Sequence, residues 1–227
     1  MTAVWAHRGA SAVERENTVA AFAAAAALGA DGVELDVRRP ADGAPAVNHD
    51  AVLPDGRLIS AVTAAELPDH VPLLDAALDA CGDLVVNIEI KEPPELAEVV
   101  VAEVRNRGIA DRVVVSCFDL STIDRVHSID GGIPTGYLAF FAPDPDRAGR
   151  LVDTCRRRGH IALHPHFLAV DERLLAIAHG AGIAINTWTV DDATQVIGLA
   201  AMGVDAIVTN DVVTAMQALR GPTKRGR

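Results

Sequence analysis

The chain has 227 residues, half of them apolar, with a formal charge of −11 and a mean hydropathy of +0.22. An acidic surface disfavours nucleic acid and anionic membranes, which both want cationic partners, and no apolar run reaches the roughly 18 to 20 residues that cross a bilayer. No basic stretch leading into an apolar core opens the chain, so no secretory signal is expected. Cys81, Cys117 and Cys155 are odd in number and widely spaced. That argues against a disulfide framework and for a reduced, cytoplasmic protein.

Apolar β-type runs then alternate with helix-period segments. A strand over 3–6 leads to a helix over 18–28, and a strand over 32–37 to a helix over 71–80. Further strands at 84–90, 113–116 and 135–138 precede helices at 95–107, 120–127 and 146–158. The last three pairs are 160–163 with 171–178, 183–187 with 191–202, and 206–208 with 212–219. Strict alternation implies parallel strands joined by helical crossovers. Eight such units in 227 residues predict a single-domain (β/α)8 TIM barrel over residues 1–220. A basic tail, residues 221–227, is expected to be solvated and disordered. An open doubly wound sheet would want a G-x-G-x-x-G turn after a strand, and none occurs. Gly29, Gly108 and Gly203 stand where helices are expected to close.

In a parallel barrel the reactive side chains gather at the C-terminal strand ends. "VWAHRGAS" puts His7 and Arg8 just after the first strand. In "GVELDVR", Glu34 and Asp36 share one face, and in "VVNIEIK" Asn87, Glu89 and Lys91 do the same. Converging carboxylates repel, so one must stay protonated or a cation must intervene. Oxygen ligands suit a hard divalent ion, Mg²⁺ or Ca²⁺; the competing arrangement is an ion-pair network with Arg8, Arg38 and Lys91. "DGAPAVNHD" places His49 on an extended piece that ends in an exposed turn after the second strand. Two histidines beside a carboxylate cluster are what acid–base chemistry at phosphorus uses, one accepting a proton and one donating it.

With "HRGAS", "ENTVAAF", "GADGVELDVR", "DGAPAVNHD", "NIEIK", "INTWTVDD" and "GVDAIVTND" in order, the chain resembles the glycerophosphodiester phosphodiesterases from residue 4 to about 211. The resemblance implies the barrel and hydrolysis of a small glycerophosphodiester to glycerol 3-phosphate and an alcohol. It implies one divalent cation on Glu34, Asp36 and Glu89, His7 and His49 as the acid–base pair, and Arg8 and Lys91 on the phosphate. Glu16 falls at the glutamate of a Pro-Glu-Asn-Thr signature, in the outer shell of the site. Trp188, inward by parity with Asn186, offers an apolar wall to the glycerol or alcohol moiety. Two departures are visible: Arg15 stands where that signature has proline, and "TND" where "TD" followed by proline is commoner. The short segment after His49 implies a reduced cap insertion.

Which histidine is the base, and whether water or the glycerol 2-hydroxyl attacks, stay open at the level of sequence. A lysophospholipid or other phosphodiester would suit the same chemistry, although no amphipathic basic element suggests a stable membrane association. A silent glycerophosphoryl-binding barrel should have lost a histidine or carboxylate, and this chain keeps all five. A metal-dependent aldolase would leave His49 and Lys91 without a joint purpose. In "HPH", His164 and His166 lack an evident third ligand, although the sixth strand end leaves room for one of them at the pocket rim. His70, His127, His160 and His179 read as structural. Cys117 reads as no nucleophile, and Phe140 and Phe141 as core or pocket wall.

Overall fold

A computed structural model describes residues 1–91, 95–140 and 144–221. Phe141 and all but the first residue of the basic tail lie outside the described residues. The strands are β1 (Ala3–His7), β2 (Gly32–Arg38), β3 (Ala46–Val47), β4 (Val85–Ile90), β5 (Val113–Cys117), β6 (Thr135–Ala139), β7 (Ala162–Pro165), β8 (Ala184–Thr187) and β9 (Ala206–Thr209). The helices are α1 (Val19–Ala27), α2 (Leu74–Cys81), α3 (Leu96–Arg107), α4 (Leu120–Ile129), α5 (Pro145–Arg158), α6 (Glu172–Gly180), α7 (Ala193–Met202) and α8 (Val212–Arg220).

Every neighbouring pair in the order β2-β4-β5-β6-β7-β8-β9-β1 is parallel, and β1 pairs with β2 to close the ring. This is the (β/α)8 TIM barrel. Among the described strands only β3 departs from it, lying antiparallel on the end of β2. Six helices begin with a side chain that accepts a first-turn N–H: Thr18, Asp119, Asp144, Asp171, Asp192 and Asp211. These caps satisfy orphan donors and hold each helix start at the face where the strands end.

Alternation along the strands divides the core. Val33, Leu35 and Val37 of β2 and Val86, Ile88 and Ile90 of β4 turn outward, fully buried with Phe22, Leu74, Leu78 and Leu96. Leu163, Ile185 and Ile207 do the same with Leu174, Leu175 and Val196 on the other side of the barrel. Each such aliphatic side chain contributes about 1.5–3 kcal/mol by leaving water. Inside the barrel, Trp5 packs with Ala206 and Val208. Two glycines make room there: a Cβ on Gly32 would come within 2.7 Å of the Trp5 ring, and one on Gly136 within 2.4 Å of His164 Nε2.

The expected helix over 71–80 starts later, at Leu74. Val71 precedes proline, which disfavours helical backbone there. Residues 45–47 also capture the stretch: Val47 N–H donates to Pro72 O at 2.8 Å, and Leu74 N–H to Pro45 O at 2.8 Å. The segment after β3 carries a small core of its own, Leu53, Ile59, Val62 and Val71 around Ala46. Among the described residues no helix is long and apolar enough to cross a membrane.

The interior packing has a direct test. Gly136→Ala should lower stability by roughly 1–3 kcal/mol through overpacking against the His164 ring. Urea unfolding reads this, and an unchanged midpoint would show that the ring moves aside freely.

Candidate active site

Register brings the site together. His7 on β1 lies opposite Glu34 on β2, and Asp36 on β2 opposite Glu89 on β4. Ligand oxygens of Glu34, Asp36 and Glu89 all lie within 4.8 Å of one another, and all three residues are buried. Asp36 is the best partnered. Its carboxylate lies 3.2 Å from Lys91 Nζ and 3.3 Å from Arg8 Nε, and Asn17 Nδ2 donates to it at 2.7 Å. Lys91 Nζ also lies 2.6 Å from Glu89 Oε1. Glu34 accepts the Arg8 backbone N–H at 3.0 Å, but its other oxygen is buried without a hydrogen-bond partner.

The electrostatics follow that unequal pairing. Burial, then the charges of Asp36 and Glu89, push Glu34 well above the ordinary carboxylate range. Glu89 is pushed up by burial and Asp36, against the pull of Lys91. Burial pushes Asp36 up as well, yet Lys91, Arg8 and the Asn17 amide outweigh it and its net shift is downward. Burial disfavours the charge on Lys91, but Asp36 and Glu89 reverse this and raise it. Two nearby cations therefore do not neutralise three carboxyl groups. The orphaned Glu34 oxygen and the all-oxygen donor set fit a hard divalent cation.

Backbone conformation aims these groups. Arg8 and Asn17 both have φ of +56°, a left-handed conformation that costs a non-glycine residue roughly 1–2 kcal/mol. In return, Arg8 points its N–H at Glu34 while its guanidinium meets Glu16 at 3.0 Å, and its carbonyl accepts the Asn17 N–H at 2.9 Å. Glu16 is exposed and touches the site through Arg8.

One histidine ends a strand and the other stands in a loop. His7 Nδ1 is 2.7 Å from Asn210 Oδ1, and its Nε2 is 3.9 Å from Glu34 Oε2. Burial lowers His7 below the ordinary imidazole value, against the bond to Asn210. His49 follows β3, where Asn48 N–H bonds to Asp36 O at 3.0 Å and the Arg38 Nε–H to the His49 carbonyl at 2.7 Å. The His49 Nδ1 is 2.8 Å from the Asp50 carboxylate.

His7, Arg8, Glu34, His49, Glu89, Lys91 and Trp188 line one cavity of ≈ 210 Å³ at the C-terminal end of the strands. Trp188 Nε1–H donates to His164 O at 2.8 Å, and its ring meets Phe118 edge-on at 5.6 Å and His166 at 5.3 Å. Phe140 lies 6.5 Å from Trp188 and is largely exposed, which makes it part of the lip and not of the core. Strand β7 runs on to Pro165, so of the two histidines in "HPH" it is His164 that sits buried at the cavity floor, while His166 packs against Trp188. On the floor Asn186 Nδ2 donates to His164 Nε2 at 3.0 Å. Reading the chain alone missed Asn17, Phe118 and Asn210, although "ENT" and "TND" carried two of them.

The remaining histidines keep other company. His160 bonds to Thr135 and Asp124, His179 to Asp205, and His127 packs edge-on against His160. His70 borders a separate surface cavity with Arg15. The buried Cys117 thiol contacts Ile90 O, and burial raises it.

The sequence model of the Glycerophosphoryl diester phosphodiesterase family matches residues 7–214. The glycerophosphodiester phosphodiesterase of Bacillus altitudinis is 30% identical over 241 residues, covering 92% of this chain and 95% of that protein. The glycerophosphodiester phosphodiesterase of Caldanaerobacter subterraneus subsp. tengcongensis is 29% identical, with 96% and 98% covered. The solved glycerophosphodiester phosphodiesterase of Thermotoga maritima superposes with a TM-score of 0.81 at 30% identity, over 94% of this chain and 96% of that one. The chain belongs to the glycerophosphoryl diester phosphodiesterase family and is a phosphoric diester hydrolase.

Floor chemistry makes stability depend on pH. Burial pushes His164 down to about 3, against an ordinary unfolded value of about 6.5. Between these values the unfolded chain binds a proton that the folded one refuses. The neutral-ring contribution is therefore whole above pH 6.5 and is lost as pH falls toward 3. Relative to His164→Asn, the native enzyme should lose roughly 3 kcal/mol of additional stability between about pH 7 and about pH 4. Parallel urea curves for the two proteins would show that the ring is protonated in the fold.

Proposed function

We propose that the enzyme hydrolyses small glycerophosphodiesters to glycerol 3-phosphate and an alcohol, with one divalent cation and a pair of histidines. The observation that carries this reading is the convergence of two imidazoles, two cations and the carboxyl groups of Glu34 and Glu89 on one cavity of ≈ 210 Å³, with Asp36 in the same oxygen cluster. That volume lies below the roughly 300–1,000 Å³ usual for drug-sized ligands, which favours a small substrate. Glu34, Asp36 and Glu89 would hold Mg²⁺ or Ca²⁺, whose chemistry when bound is Lewis-acid neutralisation of phosphate charge.

The side chains do the rest. Arg8 and Lys91 bind the non-bridging phosphate oxygens and offset charge that grows on them. One imidazole takes the proton of the attacking hydroxyl, either of water, which gives glycerol 3-phosphate directly, or of the glycerol 2-hydroxyl, which gives a cyclic phosphate that water then opens to glycerol 3-phosphate. The other gives a proton to the leaving alkoxide oxygen. Asp50 orients His49 through Nδ1, Glu16 steadies Arg8, and the Trp188 ring covers the glycerol or alcohol carbons. Three free, buried thiols suit a reducing cytoplasm, where we place the enzyme. A second reading, a lysophospholipid substrate, draws on the exposed Phe118 and Phe140 rings, which could carry an acyl chain at the lip.

Product release from glycerophosphocholine, glycerophosphoglycerol and lysophosphatidylcholine separates these readings. The first two should be hydrolysed, chelation should abolish turnover, and Mg²⁺ or Ca²⁺ should restore it. Full turnover after chelator treatment would remove the cation from the mechanism, and preference for the lysolipid would replace the substrate class.

The acid–base pair is tested separately. His7→Ala and His49→Ala should each lower kcat by about 10²- to 10⁴-fold. Melting temperatures should stay within a few degrees of the native value, and the double variant should be little worse than the poorer single one. Loss of stability with an intact rate would make the two residues structural.

A further inference from the structure

We propose that Asn210, itself oriented by Asp191, is a positioning residue that holds His7 as the Nδ1–H tautomer and leaves the Nε2 lone pair on the side of the carboxylate cluster; the inference rests on the acid–base role proposed for His7. An ionised Asp191 can only accept hydrogen bonds. It takes one from the Thr209 hydroxyl at 3.0 Å, one from the Asn210 backbone N–H at 2.8 Å and one from Asn210 Nδ2 at 2.8 Å. The last of these leaves the amide a single orientation, because the reversed amide would press its oxygen against a carboxylate. Asn210 Oδ1 therefore turns to the barrel, 2.7 Å from His7 Nδ1, where it also accepts from Ser11 Oγ at 3.1 Å.

An amide oxygen has no proton to give, so the hydrogen in that bond belongs to His7 Nδ1. A neutral imidazole carries one N–H, which makes Nε2 the acceptor. Nε2 is the nitrogen turned toward Glu34, at 3.9 Å. The lock also joins three strand ends, since Asp191 follows β8, Asn210 follows β9 and His7 ends β1. Backbone bonds hold the same loops, from Val190 N–H to Val208 O at 3.0 Å and from Ala12 N–H to Asn210 O at 3.2 Å. The pairing explains an asparagine in "TND": an aspartate there would set two carboxylates in contact.

The test reads the ring directly. Two-bond ¹H–¹⁵N correlation spectra of the 227-residue chain, ¹⁵N-labelled in its histidine rings and held at about pH 8, distinguish the two neutral tautomers. The His7 signal is identified by its loss in His7→Gln. The native enzyme should show Nδ1–H at His7. Asn210→Leu keeps the size but removes the acceptor, so the signal should move toward Nε2–H while kcat falls about 10- to 100-fold and KM stays within ~3-fold. The exchange Asn210→Asp with Asp191→Asn restores an acceptor toward His7 and a donor–acceptor pair behind it, and should recover most of kcat. A native Nε2–H signal, or native kcat in Asn210→Leu, overturns the proposal. Should Asn210→Leu fail to fold, the native spectrum alone decides. Native kcat in His7→Gln would instead overturn the catalytic role of His7, which the spectrum does not depend on.

Discussion

Three carboxyl groups buried side by side are the constraint on which this barrel end is built. Glu34, Asp36 and Glu89 are 4%, 1% and 8% exposed, and removing even one carboxylate from water costs several kcal/mol unless it is compensated. The strands leave no choice, because Asp36 and Glu89 are register partners and Glu34 lies two residues earlier on the same face. Compensation is concentrated on Asp36, which meets Arg8, Lys91 and Asn17, and Glu34 is left with an orphaned oxygen. This imbalance is unlike an ion-pair network in which each oxygen is matched. A buried polar atom without a partner calls for an explanation, and the cation proposed above would supply it for Glu34.

The same constraint accounts for the conformation of the surrounding loops. Arg8 and Asn17 take up left-handed backbone, and in doing so each presents a donor to the acidic cluster. Strain of this kind persists where the neighbourhood over-determines it. Here Arg8 O accepts from Asn17 N–H and the Arg8 guanidinium is clamped by Glu16. The first loop is thus a folded bracket around Glu34 and Asp36. Opposite it, the wall from β5 to β8 is apolar and aromatic, with Phe118, Leu138 and Trp188 over a neutral His164. A charged half faces an uncharged half, as a diester with an ionic phosphate and carbon-rich substituents requires.

Much of this was legible in the chain because alternation is a local property. Period-two spacing showed that Glu34 and Asp36 share a face, as do Asn87 and Glu89, and eight alternating units implied a closed ring that would gather their strand ends. Errors arose where a distant segment decided the outcome. The helix expected from residue 71 begins at Leu74 because residues 45–47 claim the backbone of Pro72 and the amide of Leu74. Which of His164 and His166 lies deeper was likewise open in the chain: β7 runs to Pro165 and buries His164, and His166 follows it beside Trp188.

Side-chain partnerships lay further out of reach. Nothing in the spacing of His7 and Asn210, 203 residues apart, announces a bond of 2.7 Å; closure of β1 against β9 creates it. Likewise the order of compensation among the carboxylates depends on where Lys91 and Arg8 come to rest in three dimensions. By itself the sequence determined the elements, their parallel arrangement and the kinds of chemical group at each strand end, since these follow from periodicity and residue type. Only the tertiary structure decided which oxygen is left without a partner, which imidazole nitrogen is held, and what stands on the cavity floor, because burial and hydrogen bonding belong to neighbours in space.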